Sequence, residues 1–494
     1  VVSVYAPDST LWFTPVHPDA AACWLAHIDS LNPAIALARI APPPGEDYFS
    51  TAAKTRDGIG AARGRLGFPA HLVRRHSRRQ AVLPASLPIN VGNTAFMLLC
   101  ASLVMLMTPG LAFFYGGLVE RKNVLSIMMQ SFISLAWTTV LWFAFGYSMC
   151  FGPTWHGIIG DPTYYAFLRG VTLQTMYTGN DAGIPLVVHI AYQMMFAIIT
   201  PALITGAFTN RVTFKAYFLF LTGWLVLVYF PFVHMVWSPE GLFAKWGVLD
   251  YAGGIVVHNT AGFAALASVL YVGRRRVMSH KPHNVPLIAL GTGLLWFGWY
   301  GFNAGSELRV DAITASSFLN TDVAASFAAV TWLLIEWLNA RQPKFVGLLT
   351  GSVAGLATIT PAAGYVSPGT AAVIGIAAGL ICYYAVALKN RLGLDDALDV
   401  WGVHGVGGLT GTVLLGVFAS KAWNPNGADG LLLGGGAFFV KQCVAVIVSG
   451  VWAFVFTWAM LWLIDRVTAV KLDAAAEQGG LDTALHGEVA YLDA

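Results

Sequence analysis

The sequence predicts an all-α, polytopic membrane protein, and three observations carry that prediction. Hydrophobic residues make up 56% of the 494 and charged residues only 11%, against roughly 25% charged in a soluble globular domain. So few charges cannot cover a water-exposed surface of this size, whereas a lipid solvent removes the need. From Asn93 onward, apolar runs of about twenty residues alternate with short polar breaks, and twenty residues at helical rise cross the hydrocarbon core of a bilayer. Basic residues, finally, are spread unevenly over those breaks.

The apolar runs number eleven: 93–117, 124–151, 185–209, 214–236, 252–272, 286–304, 313–339, 345–364, 370–389, 401–419 and 434–465. They are too long, and alternate too little, for the strands of an outer-membrane barrel. Breaks after odd-numbered runs hold Arg121, Lys122, Arg211, Lys215, Arg274, Arg275, Arg276, Lys281, Arg341, Lys344, Lys389, Arg391, Arg466 and Lys471, fourteen in all. Breaks after even-numbered runs hold four, Arg169, Lys245, Arg309 and Lys421. Basic loops stay in the cytoplasm, so the expected topology is N-terminus out and C-terminus in, which also requires an odd number of spans.

The domain organisation follows. Residues 1–92 carry several prolines and seven Arg against one Asp between Arg56 and Arg79. They read as a disordered, Arg-rich extension without a signal-peptide core. An Arg-rich segment on the outer side conflicts with the topology; cleavage, absence from the mature protein, or a mis-assigned start would each resolve the conflict. Residues 93–466 form the membrane domain and 467–494 a cytoplasmic tail. The net charge of +3 does not point to nucleic acid. Five cysteines without a CxxC pair read as packing residues rather than metal ligands. With no GxxxxGK[ST] loop, no ATP-driven pump is expected, and no metal or cofactor.

Ionisable residues within spans are costly and usually face a cavity. Two stretches resemble each other: Asp250-Tyr-Ala-Gly-Gly-Ile-Val-Val-His258 and Asp399-Val-Trp-Gly-Val-His404. Each runs from an Asp through glycine to a His deeper in the helix, although the spacings differ. They lie five spans apart, and a repeat of five spans must be inverted in the membrane. Such repeats place a substrate site at the midplane. A single His would more often be a helix–helix hydrogen-bonder; two in corresponding halves favour a shared pore lining. A third polar stretch, Trp299-Tyr-Gly-Phe302-Asn-Ala-Gly-Ser306, closes the sixth span.

From residue 90 to the C-terminus the chain resembles the Amt/Mep/Rh ammonium transporters, and within them the Amt branch. The resemblance rests on MTPGLAFFYGGLVERKN (107–123), AYQMMFA (191–197), HMVW (234–237), LDYAGGIVVH (249–258), WYGFNAGS (299–306), TPAAGY (360–365), DDALDVWGVHGVGG (395–408) and GLDTALHGEVAY (480–491). By position it implies an outer cation site of Phe196, Trp237 and Ser306, and a gate of stacked rings from Phe196 and Phe302. It implies a pore and proton relay at His258 and His404, with Asp250, Asp399 and Trp299 in structural or electrostatic roles. Aromatic faces attract cations and a hydroxyl accepts an N–H, which suits ammonium.

The implied activity is electrogenic ammonium transport: deprotonation near the gate, passage of ammonia, and separate transfer of the proton. Methylammonium is the implied analogue. The implied setting is a homotrimer in the plasma (inner) membrane, plugged in many bacterial members by a PII-type signal protein. Two positions depart from the family: Asn210 stands where Glu is common, and Ala484 where plant tails carry a phosphorylatable Thr. An ammonium sensor and an electroneutral Rh-type gas channel are the alternatives. Trp237 and Ser306, which Rh members lack, weigh against the second. Nothing outside the pore suggests an enzyme.

Overall fold

The computed structural model describes residues 2–6, 9–13, 89–276 and 281–492. Contacts divide the chain into two units, Val1–Val82 and Leu83–Ala494. In the first, β1 (Val2–Ala6) and β2 (Ser9–Phe13) pair antiparallel, with Val2 opposite Phe13. Of residues 1–92, expected to be disordered, 89–92 are also described, and Val91 and Gly92 already belong to the first helix of the second unit; the rest of that expectation lies outside the described residues.

The second unit is a helical bundle: α1 (Val91–Leu118), α2 (Arg121–Phe151), α3 (Leu186–Phe208), α4 (Phe214–Trp246, broken at 238–241), α5 (Gly254–Val272), α6 (Val285–Glu307), α7 (Ala312–Ala340), α8 (Phe345–Ile359), α9 (Pro368–Arg391), α10 (Trp401–Phe418) and α11 (Gly436–Val467). Each coincides with one predicted apolar run. Among the described residues, ten are long and apolar enough to cross a membrane, and α8 is shorter.

Local chemistry sets the helix ends. The side chains of Asn90, Asn284, Asp311 and Ser367 each accept a backbone N–H in the first turn of α1, α6, α7 and α9, satisfying donors that have no partner inside the helix. Pro368 opens α9, where its missing N–H costs nothing. The eighth element stops at Ile359, five residues before its predicted end. Pro361 has no N–H to give to the helix, although Thr360 before it still has helical dihedrals, φ −47° and ψ −47°. The chain turns instead through Ala362 N–H to Ile359 O and Tyr365 N–H to Ala362 O, both 2.8 Å, and Pro361 O receives Tyr251 N–H.

Packing uses small residues, as expected where hydrophobicity does not drive helices together in lipid. One of the tight crossings is between α5 and α10, where a Cβ on Gly262 would collide with the backbone of Gly405. Both helices begin with a widened turn, Gly254–Asn259 and Trp401–Gly405. In the first, His258 N–H donates to the oxygen of Gly253, five residues back. Such turns cluster at functional sites.

The loops rich in basic residues are tied to one another. Asp395 is buried and accepts from Arg211 Nη1 at 3.1 Å and Arg275 Nη2 at 2.7 Å, joining the loops after α3, α5 and α9. Burial raises its carboxyl pKa, but the two guanidinium groups outweigh that and hold it below the usual range. The tail after α11 returns over the same loops. Leu472 N–H donates to Arg211 O at 2.8 Å. Asp482 accepts Leu125 N–H at 3.0 Å and Ser126 N–H at 2.8 Å, a carboxylate against the positive end of α2.

Candidate functional site

On the face opposite the basic loops, a cavity of about 110 Å³ is lined by Phe196, Trp237 and Ser306, together with His189, Gln193, Tyr177 and Tyr251. Phe196 and Trp237 meet edge to face, with ring centroids 5.7 Å apart. Trp237 is held by its indole N–H, which donates to Asp250 O at 2.9 Å. The Asp250 carboxylate does not line the cavity. It accepts the backbone N–H of Gly253, Gly254, Ile255 and Val256 at 2.6–3.1 Å, so it caps the first turn of α5. One residue therefore starts the helix that carries His258 and fixes the ring that walls the cavity.

Ser306 Oγ donates to Phe302 O at 2.9 Å, which leaves its lone pairs toward other donors. Tyr192, unnoticed in the sequence, lies beneath it. Its hydroxyl is 3.0 Å from both Gly301 O and Phe302 O and 3.2 Å from Ser306 Oγ, at the end of α6. The clue was a phenol in a largely apolar run, because a buried Tyr hydroxyl needs a partner.

Phe196 and Phe302 close the cavity floor, with centroids 4.2 Å apart and planes at 30°. Both rings are buried. Beyond them lies a narrow space of about 10 Å³, lined by Leu111, Phe114, Ile199, Leu203, Val257 and the two histidines. Room of that size admits about one water-sized probe.

His258 and His404 stand Nδ1 to Nδ1 at 3.3 Å, with planes at 14°. Two nitrogens can share one proton only if one donates and the other accepts, so the neutral pair must hold different tautomers. Trp299 stacks on His258 with centroids at 5.5 Å and is anchored by its N–H to Thr360 Oγ1 at 2.9 Å. His258 Nε2 is buried with no hydrogen-bond partner among the described residues.

On the other side, His404 borders a cavity of about 770 Å³ that also reaches Lys344, Lys389 and Asp399. Here the structure revises one pairing. The sequence comparison matched Asp250 with Asp399, but Asp396 makes the corresponding bonds, accepting Val400 N–H at 3.1 Å and Trp401 N–H at 2.8 Å. The spacing then agrees, since 258 − 250 and 404 − 396 both equal 8. Asp399 sits at a positive φ of 60°, with its carboxylate on Lys389 Nζ at 2.5 Å. Three Asp in DDALD hid the right one. Burial pushes the Asp396 carboxyl up to about 6, against the pull of Lys389.

Apolar helices enclosing an aromatic constriction and a pair of buried histidines, with a cavity beyond each end, are the make-up of a multi-pass membrane protein. A sequence profile of the Ammonium Transporter Family matches residues 95–491. An ammonium transporter of Bacillus subtilis is 42% identical over 412 residues, covering 82% of this chain and all of that protein. One from Aquifex aeolicus is 44% identical, covering 82% and 94%. The crystal structure of Saccharomyces cerevisiae Mep2 superposes with a TM-score of 0.72 at 33% identity, over 78% of this chain and 88% of that one. A structure described as a sensor Amt protein gives 0.73 at 29%, over 80% and 98%. The chain belongs to the ammonium transporter family.

Proposed function

We propose that this protein recruits ammonium at the Phe196–Trp237–Ser306 cavity, takes a proton from it at the Phe196–Phe302 gate, and conducts ammonia past His258 and His404, with the proton transferred separately. The observation that carries the reading is the Nδ1-to-Nδ1 contact of the two histidines inside an apolar lumen. Stripping water from an ion there costs many kcal/mol, whereas a neutral molecule that can hydrogen-bond pays far less. The pair uses its Nδ1 atoms on each other, which leaves the Nε2 edges for a neutral guest or a relayed proton. At the recruitment cavity the faces of Phe196 and Trp237 attract the cation and Ser306 accepts an N–H.

The chemistry at the two ends suits this direction of work. The recruitment cavity lies on the face with few basic residues, which positive-inside charge bias places outside. The larger cavity, with Lys344 and Lys389, then faces the cytoplasm of a plasma (inner) membrane. We assign the assembly as a homotrimer and the basic face, with its docked tail, as the surface a PII-type protein would meet. A sensor reading draws on the likeness to the sensor Amt protein, but the sequence relatives are transporters.

The test is an ammonium pulse applied to proteoliposomes on a supported-membrane electrode, with wild type, His258→Ala and His404→Ala compared. A transient current is expected in the wild type. In the variants it should be lost, or should no longer distinguish ammonium from potassium. Uptake of labelled methylammonium without current would make the protein a neutral channel. Neither uptake nor current would favour the sensor.

A further inference from the structure

We infer that Gln193 is a second hydrogen-bond acceptor for the cation at the recruitment cavity and sets its affinity for N–H-bearing ions. The inference deepens the transport reading above and rests on it. Gln193 lies four residues after His189 and three before Phe196 on α3. That spacing puts all three on one helix face, and all three line the same cavity.

The polar groups around that cavity are mostly committed. The indole N–H of Trp237 is given to Asp250 O. His189 Nδ1 is bonded to the Tyr147 hydroxyl at 3.1 Å, and its ring stacks on Tyr177 at 3.8 Å. The Ser306 hydroxyl donates to Phe302 O. Gln193 Oε1, by contrast, is buried with no partner among the described residues. The Tyr251 hydroxyl shares that condition, but a phenol can also donate, whereas an amide oxygen only accepts.

A buried acceptor without a partner is a standing cost, and such a group in a native fold calls for an explanation. A cation with four N–H donors supplies one. Ser306 takes one N–H, the aromatic faces hold the charge, and Gln193 Oε1 takes another. An amide does this without the full negative charge of a carboxylate, which would hold any cation and slow its release toward the gate.

The test uses full-length protein in proteoliposomes. It measures the concentration of ammonium that halves labelled methylammonium uptake, and the maximal uptake rate. Gln193→Met keeps the volume and removes the acceptor; Gln193→Glu keeps an acceptor. In Gln193→Met the half-effective ammonium concentration should rise about tenfold or more, as for a lost hydrogen bond to a charged group, and by more than the maximal rate falls. Gln193→Glu should restore it to near the wild-type value or below.

The inference is overturned if Gln193→Met stays within about twofold of wild type while Trp237→Leu raises the concentration. It is overturned equally if both Gln193 variants lose maximal rate in parallel, which marks a packing role. Those two outcomes leave the transport reading standing. A wild type that moves neither methylammonium nor ammonium removes the transport reading, and this inference with it.

Discussion

Asp250 and Asp396 perform the same local task in two very different surroundings. Each carboxylate caps a helix whose first turn is widened, and each stands eight residues before one of the two paired histidines. Asp250 accepts four backbone N–H groups, and its own carbonyl holds Trp237. Asp396 accepts two, beside the Lys389–Asp399 ion pair and the large cavity on the basic face. The cap is what positions a histidine, so both halves keep it. What surrounds the cap differs: aromatic rings at one end, charged groups and a roomy cavity at the other.

The sharpest way to break this comparison is Asp250→Ala. It leaves four buried N–H groups without an acceptor and frees Trp237's anchor to shift. A loss on the order of 4 kcal/mol is expected, each unsatisfied buried donor costing about 1–3 kcal/mol before relaxation. Thermal unfolding in detergent should show a large drop, or no folded protein should be recovered. A midpoint close to wild type would mean that the carboxylate is not what starts α5.

Gly262→Val comes next. A side chain there meets the Gly405 backbone, so α5 and α10 must separate and the two imidazoles lose their contact. Overpacking of this kind costs about 1–3 kcal/mol. A moderate fall in melting temperature should come with near-complete loss of methylammonium uptake. Retained uptake would show that the two histidines can work apart.

The smallest effect is read by pH at the Asp396 cap. Asp396 has a carboxyl pKa raised from 3.8 to about 6, so between those values the unfolded chain has lost a proton that the folded chain still holds. Stability from this group is therefore full below about 4 and declines as pH rises toward 6, then levels. Asp396→Asn should flatten that part of the profile of melting temperature against pH. An unchanged slope would assign the pH response to other groups.

Much of this architecture was legible before any coordinates. All eleven predicted runs became helices, because length and apolarity suffice where every backbone polar group must be bonded within its own segment. Proline was the exception: the eighth element ends at Ile359, just before Pro361, whose missing N–H hydropathy ignores. The residues of the candidate site were legible in part. His258 and His404 stood out because imidazoles are conspicuous in apolar runs, whereas Phe196, Trp237 and Ser306 came only from the family resemblance of the motifs around them. Tyr192, Gln193 and Asp396 came from neither. Two were hidden among packing residues of the same helix, and the third among the three aspartates of DDALD at 395–399.

Residue order alone therefore settled which segments are helices and which polar groups are buried in them. Hydropathy and capping are local, and each span's hydrogen bonds close within it. Bringing His258 to 3.3 Å from His404, across 146 residues, was decided by the folded bundle. It depends on two widened turns and on a glycine crossing close enough that no side chain fits between the backbones. Such a contact arises from the docking of two helices, and neither helix specifies it alone.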